Sequence, residues 1–200
     1  MSVTFRVQKL ISSLESSKPS VKYDAVKALR TISERAPHAV YPHFDLFVNY
    51  LRHENSILRW NAMLILANLA SVDDEGQLDE ILDDYLAAIN GCRMIDAANT
   101  IRGAAVIACA KPYLADTIAS RIMQVEHANY ATPECRNVGI GHAIEALGRI
   151  RPELADTRDV QRFVARQLEN QRPATRKKAE RFIGKKSSGK ARAAVGCTLA

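Results

Sequence analysis

Five basic residues, Lys22, Arg59, Arg102, Arg136 and Arg176, recur at intervals of 37, 43, 34 and 40 residues. Such a row of cations has two physical uses. On an open surface it attracts carboxylates or phosphates. Within a repeated architecture it bonds carbonyls or carboxylates of neighbouring units and holds them together. Both readings stand at this level. Trp60, the only tryptophan, follows one of these cations. Exposed, it would anchor a partner or stack on a base; tucked between helices, it is core. Asn61 and Asn68 follow along the same segment and extend the candidate surface.

Other chemistries find little support. His38 and His43 flank Ala-Val-Tyr-Pro, with no nearby cysteine or carboxylate to complete a zinc set; His53, His127 and His142 are scattered. Cys92, Cys109, Cys135 and Cys197 have neither a disulfide-framework nor a CxxC spacing. Cys109, at the end of an apolar face, is expected to be small and buried. There is no glycine-rich phosphate loop and no nucleophile elbow. The acidic run Asp73-Asp74-Glu75, with Asp79-Glu80 and Asp83-Asp84, suits a helix start and a solvated outer face. No catalytic set, metal site or cofactor is expected.

The elements that carry these residues read as helices. Three residues after each cation stands a small residue: Ala25, Ala62, Ala105, Gly139 or Ala179. Seven after stands Leu29, Leu66, Cys109, Ala143 or Ile183. This is helical spacing, repeated at about 40 residues, the period of stacked helical hairpins. Phe5, Val7, Leu10, Ile11 and Leu14 line a first helix, broken by Ser-Lys-Pro-Ser at 17–20. A helix from about Val21 to Glu34 follows, burying Val21, Ala25, Ala28, Leu29 and Ile32. The second hairpin begins near Pro42 and carries Phe44, Phe47, Val48 and Leu51; Ser56 is the expected cap of its partner helix. The third pairs Leu78–Ile89 with Met94–Cys109, turning at Asn90-Gly91 and burying Ile95. The fourth pairs Leu114–Val125 with Glu134–Ile150, capped by Thr132-Pro133. The fifth pairs Val160–Leu168 with Ala174–Ile183, opened by Pro173 and stopped by Gly184.

Composition agrees with this layout. Hydrophobic residues make up 47% and aromatics only 6% of 200 residues, which suits close packing of small side chains between helices. The formal net charge of +6 is uneven. Residues 171–200 hold nine Lys or Arg against one acid, whereas residues 1–170 hold 19 against 21. A basic end, rather than a basic body, is therefore the charge signature. Residues 185–200 have little to bury and read as a disordered tail. Cys197-Thr198-Leu199-Ala200 has the form of a prenylation box behind basic residues, with threonine a poor aliphatic position. The start lacks a signal-peptide core and no run is long enough to span a membrane, so a cytoplasmic protein is expected.

The pattern resembles the HEAT repeat across about residues 5–184. The residues that carry the resemblance are the caps or prolines before each second helix, the apolar-basic pairs Val21-Lys22, Leu58-Arg59 and Ile101-Arg102, and the small residue three positions on. The resemblance implies an all-α fold, a right-handed α-α superhelix of about five HEAT-like hairpins over 1–184, with second helices lining a concave side. It implies a non-enzymatic adaptor or scaffold binding a protein or peptide there. The candidate contact residues are Lys22, Arg59, Trp60, Asn61, Arg102, Arg136 and Arg176. The alternative is nucleic-acid binding through the same ladder and the basic C-terminus. Two enzymes of this architecture fit poorly. The di-iron hydroxylase acting on deoxyhypusine needs several His-Glu pairs, and only His53-Glu54 is present. The alkylation-repair glycosylases need a basic groove, tryptophans and a carboxylate; the chain has one tryptophan and a slightly acidic body over 1–170, and Asp24 and Asp96 on second helices read as a solvated face.

Overall fold

The computed structural model describes residues 2–184; the tail and its Cys197 box lie outside them. Among the described residues the chain is all-helical, with no strand. These residues gather into two compact units, 2–85 and 86–184.

In the first unit, α1 (Val3–Ser13) packs on α2 (Pro19–Arg35), and α2 packs on α5 (Ser56–Leu69). Between them run the short α3 (Pro37–Val40) and α4 (Phe44–Tyr50), both against α5. α5 is buried on nearly every side, from Leu58 through Ala67. Its start is set by Asn55, whose side-chain oxygen accepts from the amides of Ile57 at 3.0 Å and Leu58 at 3.3 Å. Ser56 is thus the first helical residue and not the cap, because the asparagine before it already satisfies two orphan amides. The loop 73–76 and α6 (Gln77–Glu80) hang on Asp73, which is 5% exposed. Its carboxylate accepts from the Tyr41 hydroxyl at 2.7 Å and the amides of Gln77 and Leu78 at 2.9 and 3.0 Å. The acidic run is therefore solvated only in part. α7 (Leu82–Leu86) presents Tyr85, which is buried and donates to the Met63 carbonyl.

In the second unit, α8 (Met94–Ala110), α10 (Pro133–Ile150) and α12 (Pro173–Gly184) lie side by side, α10 in the middle. Behind them stand α9 (Ala115–Met123) and α11 (Arg158–Arg166). The buried residues of α8 are mostly small, Gly103, Ala104, Ala105 and Ala108 among them, alongside Ile101 and Ile107. Small residues let helix backbones approach, which explains the alanine-rich, aromatic-poor composition. Thr132 caps α10 by accepting from the Cys135 amide at 3.1 Å, with Pro133 in the first turn. Tight turns at 87–90, 124–127 and 167–169 precede the loops that lead into α8, α10 and α12. They close carbonyls that the helix ends would leave unpaired.

Some expected core residues are exposed: Phe5 59%, Val21 41%, Ile95 48% and Ile183 49%. Phe5 and Val21 lie in the first turns of α1 and α2, and Ile183 lies in the last turn of α12. Ile95 is the second residue of α8, before the buried stretch begins. Cys109 is half-buried rather than buried; it, Cys92 and Cys135 are free thiols.

Candidate interaction surface

The helix starts fix the repeat register. Lys22, Arg59, Arg136 and Arg176 are each the fourth residue of their helix. The fourth residue of α8 is Ala97, and Arg102 is the ninth. In this register the spacings run 37, 38, 39 and 40. The small residue three positions on becomes Ala25, Ala62, Thr100, Gly139 and Ala179, all buried. The pair Ile101-Arg102 followed by Ala105 imitates the repeat signature five residues late. Five residues turn a helix by roughly 140° beyond a full turn, so Arg102 faces another way.

That difference separates the cations by role. Arg59 is 5% exposed, and its Nη1 donates to the carbonyls of His53 at 2.6 Å and Glu54 at 3.2 Å. Arg176 Nη1 donates to the carbonyls of Asn170 at 2.7 Å and Gln171 at 3.1 Å. Helical side chains lean toward the N-terminus, which carries each guanidinium back over the turn before its own helix. The same turns are tied to the preceding second helix. Asn55 donates to the Tyr23 hydroxyl at 2.9 Å, and Asn170 donates to Asn137 Oδ1 at 3.2 Å. Tyr23 and Asn137 occupy equivalent positions, one after the fourth residue. Arg59 and Arg176 are thus clamps within the repeat. Lys22 and Arg136 are half-buried at the same register position. Trp60 is half-buried beside Arg59. Asn61 is 6% exposed, its amide donating back to the Ile57 carbonyl at 2.7 Å, so it presents little to a partner.

Arg102 is exposed on α8 and makes no ion pair among the described residues. In the corrected register it lies five positions after the fourth-residue frame, level with Gly141-His142 on α10. His142 is half-buried. Burial, first, and then the charges of Lys178, Arg102 and Arg172 hold its imidazole below the ordinary histidine range; Glu145 opposes them. Lys178 reaches over from α12 and pairs with Glu145 at 3.0 Å. Gly141 permits this approach: a Cβ there would lie 3.1 Å from Thr175 Oγ1 and 3.5 Å from Lys178 Nζ. Thr175 donates to the Asn137 carbonyl at 2.8 Å, which fixes α12 against α10. Arg172 pairs with Glu134 at 2.8 Å. One surface across three neighbouring helices therefore collects Arg102, His142 and Lys178, with Arg172 at its edge. Of these, only Arg102 was marked by the repeat pattern in sequence. The register of the helix starts was the signal that would have found His142.

No family model matches this chain, and no curated protein matches it. Among solved structures, a crystal structure of an engineered protein from the Northeast Structural Genomics Consortium is similar to it, with a TM-score of 0.55 and 18% identity. The match covers 89% of this chain and 78% of that one. At that identity the likeness is one of fold alone.

Proposed function

We propose that this protein is a non-enzymatic adaptor of the HEAT-repeat kind, which binds a protein or peptide segment on the surface formed by α8, α10 and α12 of residues 86–184. The observation that carries the reading is Arg102: a solvent-facing cation with no ion pair among the described residues, whose charge acts with that of Lys178 on His142, on the helix between them. The clamps at Arg59 and Arg176 hold the scaffold, and exposed Arg102 with half-buried Lys178 is left for recognition. Charge divides the same way. Residues 1–85 hold nine Lys or Arg against 12 Asp or Glu, whereas residues 86–184 hold 15 against ten. Among the described residues no helix is long and apolar enough to cross a membrane. With three free cysteines, a reducing compartment such as the cytoplasm is part of the proposal.

The charge excess of the second unit also supports a second reading, nucleic-acid binding, to which residues 185–200 add four more cations. One experiment separates the two. The full chain is used as bait in a native lysate of its source, with retained proteins identified and retained nucleic acid quantified. A stoichiometric protein, lost when Arg102 becomes Glu, supports the adaptor. Retained nucleic acid with no stoichiometric protein overturns it.

A further inference from the structure

We propose that Arg102, His142 and Lys178 form a docking site for an acidic segment of the protein partner, whose carboxylates bridge from α8 across α10 to α12. The inference rests on the adaptor reading and narrows it to a chemical class of partner. Three features carry it. Arg102 has no counter-ion of its own among the described residues. Lys178 has Glu145, but this pair is solvent-facing, with side-chain exposures of 25% and 53%, and such pairs exchange readily for an incoming carboxylate. Thr175 and Gly141 fix the helices so that the cations are in place before binding, which lowers the ordering cost.

Charge pattern favours a peptide over a polyphosphate. Glu145 and Glu134 stand among the cations, at Lys178 and Arg172. A continuous phosphate backbone would meet both carboxylates, whereas separate Asp or Glu side chains can reach the cations between them.

The site is also proton-linked. The charged groups that act on His142 from the packed helices are Arg102 on α8, Glu145 on its own helix, and Lys178 and Arg172 in and before α12. An anion seated by Arg102 and Lys178 offsets their share of the penalty on imidazolium, while the larger share due to burial stays. Binding therefore takes up a proton, and affinity rises as pH falls through the range in which His142 titrates, until the peptide's own carboxylates protonate near about 4.

The test uses the full-length protein and a short synthetic peptide of alternating Glu and Ser. Affinity is measured between about pH 7.5 and about pH 5.5 in low salt. The expected result is binding that tightens toward the lower pH, weakens about tenfold in Arg102→Gln, and loses most of its pH dependence in His142→Gln. The same peptide with Gln in place of Glu should not bind. Equal affinity for wild type and a folded Arg102→Gln variant, no binding at all, or preference for oligothymidylate over the peptide overturns the proposal. If the peptide fails while a lysate partner is still lost from Arg102→Glu, the acidic assignment falls and the adaptor reading stands. If the lysate partner is also indifferent to Arg102→Glu, both fall.

Discussion

Arg59 and Arg176 make the same two hydrogen bonds, each guanidinium donating to the carbonyls six and five residues upstream. At these two helices the basic residue in the fourth position thus closes the turn that delivers the chain into the helix. The cation is used internally, and its charge is directed at carbonyl oxygens instead of at a partner.

Replacing Arg59 by Ala should therefore destabilise the fold, by about 1–3 kcal/mol for the lost charge-assisted bonds and the carbonyls left unpaired. Arg59→Lys should recover part of the loss, because both bonds leave one nitrogen, Nη1, and a lysine ammonium also carries more than one N–H donor on a single nitrogen. Arg102→Ala should change stability by less than about 0.5 kcal/mol. Denaturant unfolding of the three variants checks this. Equal stability of Arg59→Ala and wild type would refute the clamp.

Two glycines of α10 should respond in opposite senses. A Cβ at Gly139 would lie 3.1 Å from Val125 Cγ2 and 3.2 Å from Tyr130 Cε2. The Tyr130 hydroxyl is tied to the Ile89 carbonyl, so the ring has little room to yield, and Gly139→Ala should cost about 1–3 kcal/mol. At Gly148 the Cβ would meet the Phe182 ring at 3.5 Å, an ordinary contact. Gly148→Ala should gain about 0.5–1 kcal/mol from helix propensity. Thermal unfolding of the pair distinguishes a steric effect from a general one.

Asp73 should behave as a buried cap. Asp73→Ala removes the acceptor of two backbone amides and the Tyr41 hydroxyl and should cost about 2–3 kcal/mol. Tyr41→Phe should cost less, about 0.5–1.5 kcal/mol, because one of the three bonds is lost. Chemical denaturation measures both.

His142 should make the protein acid-sensitive in a defined window. Its folded-state pKa lies below the ordinary value of 6.5, so below that value the unfolded chain binds more protons than the folded one. Stability attributable to His142 is therefore present above the ordinary value and declines as pH falls toward the lowered one. His142→Gln should flatten that part of the stability profile. A variant with an unchanged profile would remove His142 from the account.

Much of the architecture is legible in the sequence because helical periodicity, prolines and caps are local signals. The helical hairpins, Thr132 as a cap and Pro173 as a helix opener follow from them. Register is less legible. Ile101-Arg102 with Ala105 satisfies the repeat pattern as well as the true position does, because Ala97 has lost the cation that marks it. Burial near helix ends also misleads: Val21, in the first turn of α2, and Ile183, in the last turn of α12, fall on the apolar stripe and yet are exposed. The interaction surface is least legible. His142 and Lys178 are single residues on different helices, and only the packing of α10 between α8 and α12 places them with Arg102.

We propose that the second-helix surface of residues 86–184 recognises a partner through Arg102 and Lys178. The most direct test is retention of the lysate partner by a doubly reversed protein, Arg102→Glu with Lys178→Glu, its helicity checked by circular dichroism. The expected result is a folded protein that no longer retains the partner, while Arg59→Lys, to the extent that it folds, still does. A folded double variant that retains the partner at the wild-type level would contradict it.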